Sequence, residues 1–134
     1  MELTELAIKL AEHDHEGASF ETLVIEGEQP VLQVIVDKFD ELPIYLTFTE
    51  EQIICICYLF KKDEVKSSEV AGLNETLLKL NVPVPLSSFA IVDDQYTIFG
   101  ALSTSSSFDD VAHELVTLAD NAADALESVE AYLS

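Results

Sequence analysis

The chain opens with apolar residues at helical spacing. Leu3, Leu6, Ala7 and Leu10 recur three and four apart, which predicts a helix over Leu3–His13 with one buried stripe and Gly17 as its stop. The period then changes to two. Phe20–Glu26, Val31–Asp37, Pro43–Phe48 and Gln52–Phe60 read as four strands, separated by GEQP, KFDEL and TEE, connections short enough to make antiparallel neighbours. In the second strand Leu32, Val34 and Val36 share one face, while Val31, Gln33, Ile35 and Asp37 share the other. The fourth, IICICYLF, is apolar on both faces, which predicts a central strand or one whose second face meets a helix or another subunit.

Helical spacing returns at Val70, Leu73, Leu77 and Leu80 and predicts a helix over Ser68–Leu80. NVPVP ends it, because Pro83 and Pro85 hold the residues before them extended. Ser88–Val92 and Tyr96–Leu102 read as two further strands joined by the acidic turn DDQ. The longest periodic run climbs from Phe108 through Val111, Leu115, Leu118, Ala122, Leu126, Val129 and Leu133 on one face, with acids mostly on the other. The order is one helix, four strands, one helix, two strands and one helix. It predicts an α+β fold in which an antiparallel sheet carries its helices on one face, with residues 1–134 as a single domain.

Composition narrows the function classes. At 49% hydrophobic residues the chain is too apolar for a disordered acidic tail, although its formal net charge is -20. Six Lys and no Arg exclude a nucleic-acid partner, since phosphate binding depends on those cations. From Leu80 onward neither Lys nor Arg occurs, so that half presents a negative field, which serves solubility or steers a basic partner. No apolar run is long enough for a membrane span, and MELTELAIKL lacks the positive start of a signal peptide; the expected location is cytoplasmic, without membrane insertion.

Candidate chemistry is sparse. His13 and His15, with Glu16 beside them in AEHDHEG, have the atom types of a transition-metal site. On a helix, residues two apart point in nearly opposite directions, so the two histidines converge only if the helix has ended; the simpler expectation is a solvated helix terminus. His113 reads as exposed or at the rim of its helix. Cys55 and Cys57 share one strand face at a spacing too wide for a relaxed disulfide and read as reduced core residues. The carboxylate pairs Glu50 with Glu51, Asp93 with Asp94, and Asp109 with Asp110 are adjacent residues that diverge, so none forms an acid and base couple. In FGALSTSSSFDD no basic residue accompanies the glycine and serines, and Asp109 and Asp110 already occupy the positive helix end. Ser106 or Ser107 is therefore expected to cap the last helix, with Gly100 where the last strand can accept a close backbone approach.

The stretch PLSSFAIVDDQYTIFGALS, followed by SSSFDDV and LVTLADNAADALE, resembles the C-terminal half of the YjfI-like family, small bacterial proteins classed as a domain of unknown function. In the first half the resemblance rests on the order of elements and on pieces such as LTFTEEQIICICYLF. It implies a fold similar to that of type III secretion chaperones, commonly dimeric and acidic, and an association with PspA-like, membrane-remodelling coiled-coil proteins. It implies no reaction, no catalytic residue and no cofactor. The expectation is a non-enzymatic, chaperone-like interaction module, a homodimer that binds a protein segment through apolar surface of sheet and helices. Glu114, Leu118, Asp120, Leu126 and Glu127 on the last helix are its candidate partner-binding residues. The alternative is a small-ligand or metal-binding sensor that uses a pocket between sheet and helices or the His13/His15 cluster.

Overall fold

The computed structural model describes residues 2–134. Helix α1 spans Leu3–Ala11, α2 Val70–Leu80 and α3 Phe108–Val129. The strands are β1 Asp14–His15, β2 Ala18–Ile25, β3 Val31–Val36, β4 Ile44–Phe48, β5 Gln52–Lys61, β6 Ser88–Val92 and β7 Gln95–Ser103. All strands form one antiparallel sheet in the order β1-β2-β3-β4-β5-β7-β6, so β7 enters between β5 and β6. The six longer strands and three helices stand in the order that the periodicity predicts.

Alternation decides which side of the sheet is covered. Leu32, Val34, Val36, Ile44, Leu46, Ile53, Cys55, Cys57 and Ile98 point to one side, where Leu6 and Leu10 of α1 and Val111, Leu115 and Leu118 of α3 close over them. Leu73 and Leu77 of α2 join Phe60, Tyr96 and Val129 in a second cluster on the same side. A register shift between Tyr58 and Phe60 turns the Phe60 ring inward, where it stacks on Tyr96 at a centroid distance of 5.0 Å. All three helices thus lie on one face.

Strand ends shift by one or two residues, and three helix boundaries differ from the sequence reading. Helix α1 ends at Ala11, two residues before His13, and the chain turns at once into the β1–β2 hairpin. Glu16 (φ 52°) and Gly17 (φ 89°) are both left-handed, as a two-residue hairpin loop of the tightest kind requires, so Gly17 turns a hairpin and does not stop the helix. Helix α2 begins at Val70 after a 3-10 turn at Ser67–Glu69. Helix α3 ends at Val129, and a 3-10 turn at Glu130–Tyr132 carries Leu133 to a bridge with Val65.

Candidate functional site

Strand β6 is a free edge of the sheet. At the opposite edge β1 covers only Ala18 and Ser19 of β2, which leaves Phe20–Ile25 as a second open edge beside α1, where Thr22 Oγ1 donates to Ala7 O at 3.0 Å; β6 offers five residues, SFAIV, without lysine, proline or bulge. Protected edges normally carry one of those devices. The Phe89 N–H points off the sheet and donates to Asn81 Oδ1 at 2.6 Å, so by the alternation of an antiparallel ladder the N–H and C=O of Ile91 also point outward. Between β6 and α2 lies a cleft of about 300 Å³, lined by Leu77, Leu78, Phe89, Ile91 and the Tyr96 ring, with Asn74 and Asn81 as its polar side chains. Both amide oxygens accept, Asn81 Oδ1 from Phe89 N and Asn74 Oδ1 from Tyr96 Oη, each at 2.6 Å. The cleft therefore grips apolar groups, with the two Nδ2 groups as its side-chain donors.

Apolar surface continues from the cleft onto the loop before β6. Leu78 is 69% exposed, Val82 89%, Leu86 59% and Ile91 47%. The loop is rigid. Pro83 and Pro85 stiffen it, Asn121 Nδ2 donates to Pro85 O at 2.9 Å and to Ser87 Oγ at 3.0 Å, and Leu86 is held at a left-handed φ of 65°. Holding leucine and valine in water on a rigid frame costs stability that packing does not return, so this corner has the character of an interface. The sequence contains its trace: Leu78, Val82 and Leu86 fall outside the stripe of Val70, Leu73, Leu77 and Leu80.

The second uncovered surface is the outer face of the sheet. Leu23, Ile25, Ile35, Tyr45, Ile54, Ile56, Tyr58 and Phe99 point away from the helices, Leu23, Ile25 and Tyr58 exposed and the others half-buried by their neighbours on the face. Cross-strand pairs tie them together: Tyr45 opposes Ile56, which opposes Phe99. Both faces of β5 are apolar because one meets the core and the other belongs to this sheet surface.

The candidates on α3 divide. Glu114 and Leu118 are buried against the sheet and cannot meet a partner, which corrects the expectation for those two; Asp120 and Glu127 are exposed and Leu126 is half-buried. Glu114 is the less expected of the pair. Its carboxyl lies over Gly100, where any Cβ would stand 2.7 Å from Oε1, so the close approach at Gly100 is made by a side chain and not by the backbone that the sequence led us to expect. Oε2 has no hydrogen-bond partner among the described residues. Burial pushes the Glu114 carboxyl above its ordinary range, opposed by the neighbouring His113. Ser107 caps α3: its Oγ accepts from Asp110 N at 3.1 Å, and its own N–H donates back to Asp110 Oδ2 at 3.4 Å. Asp93 (φ 54°) and Asp94 form the two-residue turn between β6 and β7, as their side chains suit them to do.

His13 and His15 are not on a solvated helix end. Both are half-buried, and His15 sits in β1 with its ring centroid 6.0 Å from that of His13 and 5.6 Å from that of His113, which is exposed on α3. Cys55 and Cys57 are free thiols buried on the inner face of β5. No helix among the described residues is long and apolar enough to cross a membrane.

Comparison with known proteins agrees with the resemblance in the C-terminal half and extends it. The chain belongs to the DUF2170 family, described as an uncharacterized protein conserved in bacteria, whose model matches residues 1–133. It is 30% identical over 112 residues to the uncharacterized protein YjfI of Escherichia coli, covering 81% of this chain and 83% of that one. Among solved structures it is similar to a chain of the heterodimeric ExoU-SpcU complex from the type III secretion system of Pseudomonas aeruginosa, with a TM-score of 0.58 and 16% identity over 95% of this chain and 96% of the other. It is also similar to YbjN from E. coli, with a TM-score of 0.60 and 13% identity over 82% of each chain. At such identities the likeness concerns the fold, an antiparallel sheet with helices on one side shared with a type III secretion complex.

Proposed function

We propose that the chain is a non-enzymatic, cytoplasmic protein-binding module that takes an extended partner segment along the free edge of β6, with apolar side chains of that segment seated in the cleft under α2. The carrying observation is the coincidence of an unprotected edge strand, an apolar cleft beside it and a rigid rim of exposed Leu78, Val82 and Leu86. The heterodimeric setting of the ExoU-SpcU neighbour supports a binding role for this kind of fold. Acids surround the site at Glu75, Asp93, Asp94 and Asp124, and Lys79 is already paired with Glu75 at 3.3 Å, so the segment that fits is apolar with basic flanks. A PspA-like coiled-coil protein, implied by the family resemblance, is the first source in which to look for it.

Peptides tiled along such a partner and followed by fluorescence anisotropy test the reading. A binding peptide should lose at least about tenfold in affinity with Leu78→Asp, an apolar contact replaced by a carboxylate that binding would strip of water. Ile91→Pro should do the same by removing an outward donor while leaving the ladder to β7 intact. Peptides that bind both variants as well as wild type would place the site elsewhere and end this reading.

The outer sheet face supports a second use, pairing with another copy of the chain. Six strands about 4.8 Å apart, about seven residues long on average at about 3.3 Å per residue, make a face of about 29 by 24 Å, about 700 Å², on the scale of the roughly 800 Å² that each partner gives to a stable interface. Its outward residues are almost all uncharged, Glu21 and Lys61 lying at its margins, and α3 with its acids lies on the opposite side of the sheet. Light scattering at micromolar concentration should return twice the monomer mass, and Leu23→Asp with Tyr58→Asp should return one. A monomeric wild-type chain would refute the dimer and leave the edge-strand reading standing.

A further inference from the structure

All three histidines of the chain meet at one place, although about a hundred residues separate His15 from His113. The convergence has a structural cause. Helix α1 stops at Ala11, the chain extends through β1, and extended backbone puts His13 and His15 on the same side, facing the first turns of α3. Ligand atoms of His15, Glu16 and His113 all lie within 4.8 Å of one another. In a tetrahedral centre with metal–nitrogen bonds near 2.0–2.1 Å, ligand atoms are about 3.3 Å apart, so small side-chain rotations close the set. Two of the three groups, Glu16 and His113, are exposed and free to make them.

A second observation points the same way. The Nε2 atoms of His13 and His15 are shielded from solvent and have no hydrogen-bond partner among the described residues. Shielded imidazole nitrogens normally find a partner, and an unpaired one costs stability unless a ligand completes it. His13 is anchored edge-on to Phe108 at a centroid distance of 4.8 Å, and its ring centroid lies 6.0 Å from that of His15. Glu16 takes its left-handed φ of 52° from the hairpin loop, which sets its Cα at the hairpin tip, and its carboxylate reaches the imidazoles of His15 and His113.

We infer that His15, His113 and Glu16 form a binding site for a borderline divalent transition metal, of the zinc, nickel or copper kind, with His13 available as a further ligand. Imidazole nitrogens with one carboxylate select those ions over magnesium and calcium, which prefer all-oxygen shells. The site joins the β1–β2 hairpin to α3, so a bound ion would tie the N-terminal elements to the long helix. It lies at the β1 end of the sheet, away from the β6 edge, and does not depend on the binding role proposed for that edge.

Isothermal titration of the full chain with zinc, nickel and copper chlorides, in excess magnesium to saturate surface carboxylates, tests it. One ion per chain should bind at micromolar or tighter affinity, and His113→Ala, at an exposed position that leaves the fold intact, should weaken it at least tenfold. Glu16→Gln should weaken it less. Cobalt added to wild type should give the visible d–d absorption of a nitrogen-bound low-coordinate ion, absent in the His113→Ala protein. Lack of saturable binding of all three ions at tens of micromolar would overturn the site. So would binding that His113→Ala and His15→Ala leave unchanged, which would assign the ions to the acidic surface.

Discussion

Substituting alanine for Gly100 places a methyl group where Glu114 already lies. The new Cβ would stand 2.7 Å from Oε1, 2.8 Å from Cδ and 3.0 Å from Oε2 of that carboxyl. Non-bonded heavy atoms rest at about 3.5–4.0 Å, so one of the two must move by several tenths of an ångström. Glu114 is 3% exposed, between the sheet and its own helix, and has little room to give way. Forcing a methyl into a filled core costs about 1–3 kcal/mol, while restricting the unfolded chain by Gly→Ala returns about 0.4–1 kcal/mol. Gly100→Ala should therefore destabilise the protein by about 1–2 kcal/mol. In a Glu114→Ala background the clash is gone, and the same substitution should be neutral or stabilising, a coupling of about 1–3 kcal/mol between residues 100 and 114. Urea unfolding of the four proteins, compared at equal slope, measures it. An equal cost of Gly100→Ala in both backgrounds would refute the steric account and locate the penalty in the β7 backbone.

Glu114 also sets a pH dependence. Its carboxyl is raised by burial, so the folded chain holds a proton that the unfolded chain releases. Its contribution is full below the ordinary value of 4.5 and is lost as pH rises through the raised one, and Glu114→Gln should flatten that decline in stability against pH; parallel profiles for the two proteins would contradict it. Ser107→Ala should cost about 1 kcal/mol by thermal or urea unfolding, because Asp110 N loses its acceptor, whereas Ser106→Ala should be close to neutral. Burial pushes the Cys57 thiol to about 12, and burial followed by the charge of Glu114 pushes Cys55 higher still. Iodoacetamide should therefore label both cysteines only as fast as the protein unfolds, and rapid labelling of the native chain would show that β5 opens locally.

How much of this was legible in the residues follows from how far each signal reaches along the chain. Helices α2 and α3 and six strands declare themselves by period, because each buries one face and a face is written within a few residues. The Ser107 cap is equally local. The β1–β2 hairpin was not legible, since a two-residue strand has no period and a left-handed Gly17 reads alike as helix stop or hairpin turn. Glu114 flanks the apolar stripe of α3, and its charge alone directs it to solvent or a partner. Only the missing side chain of Gly100, brought across by β7, makes room for it inside. The histidines illustrate the same limit: the spacing of His13 and His15 stated the condition for convergence, an early helix end, but no local signal joins them to His113.

The interfaces occupy a middle ground. Leu78, Val82 and Leu86 stand out of phase with the α2 stripe, and Ile54 and Ile56 stand out of phase with Cys55 and Cys57, so in each case an element carries more apolar surface than one core face can absorb. Which side goes uncovered depends on where the helices land, and here all three land together. Had one helix crossed the sheet, Ile54 and Ile56 would be ordinary core. Because none does, out-of-phase apolar residues are the trace that binding surfaces leave in this sequence, and they mark the β6 corner and the outer sheet face as the places where a second chain would remove the most apolar surface from water.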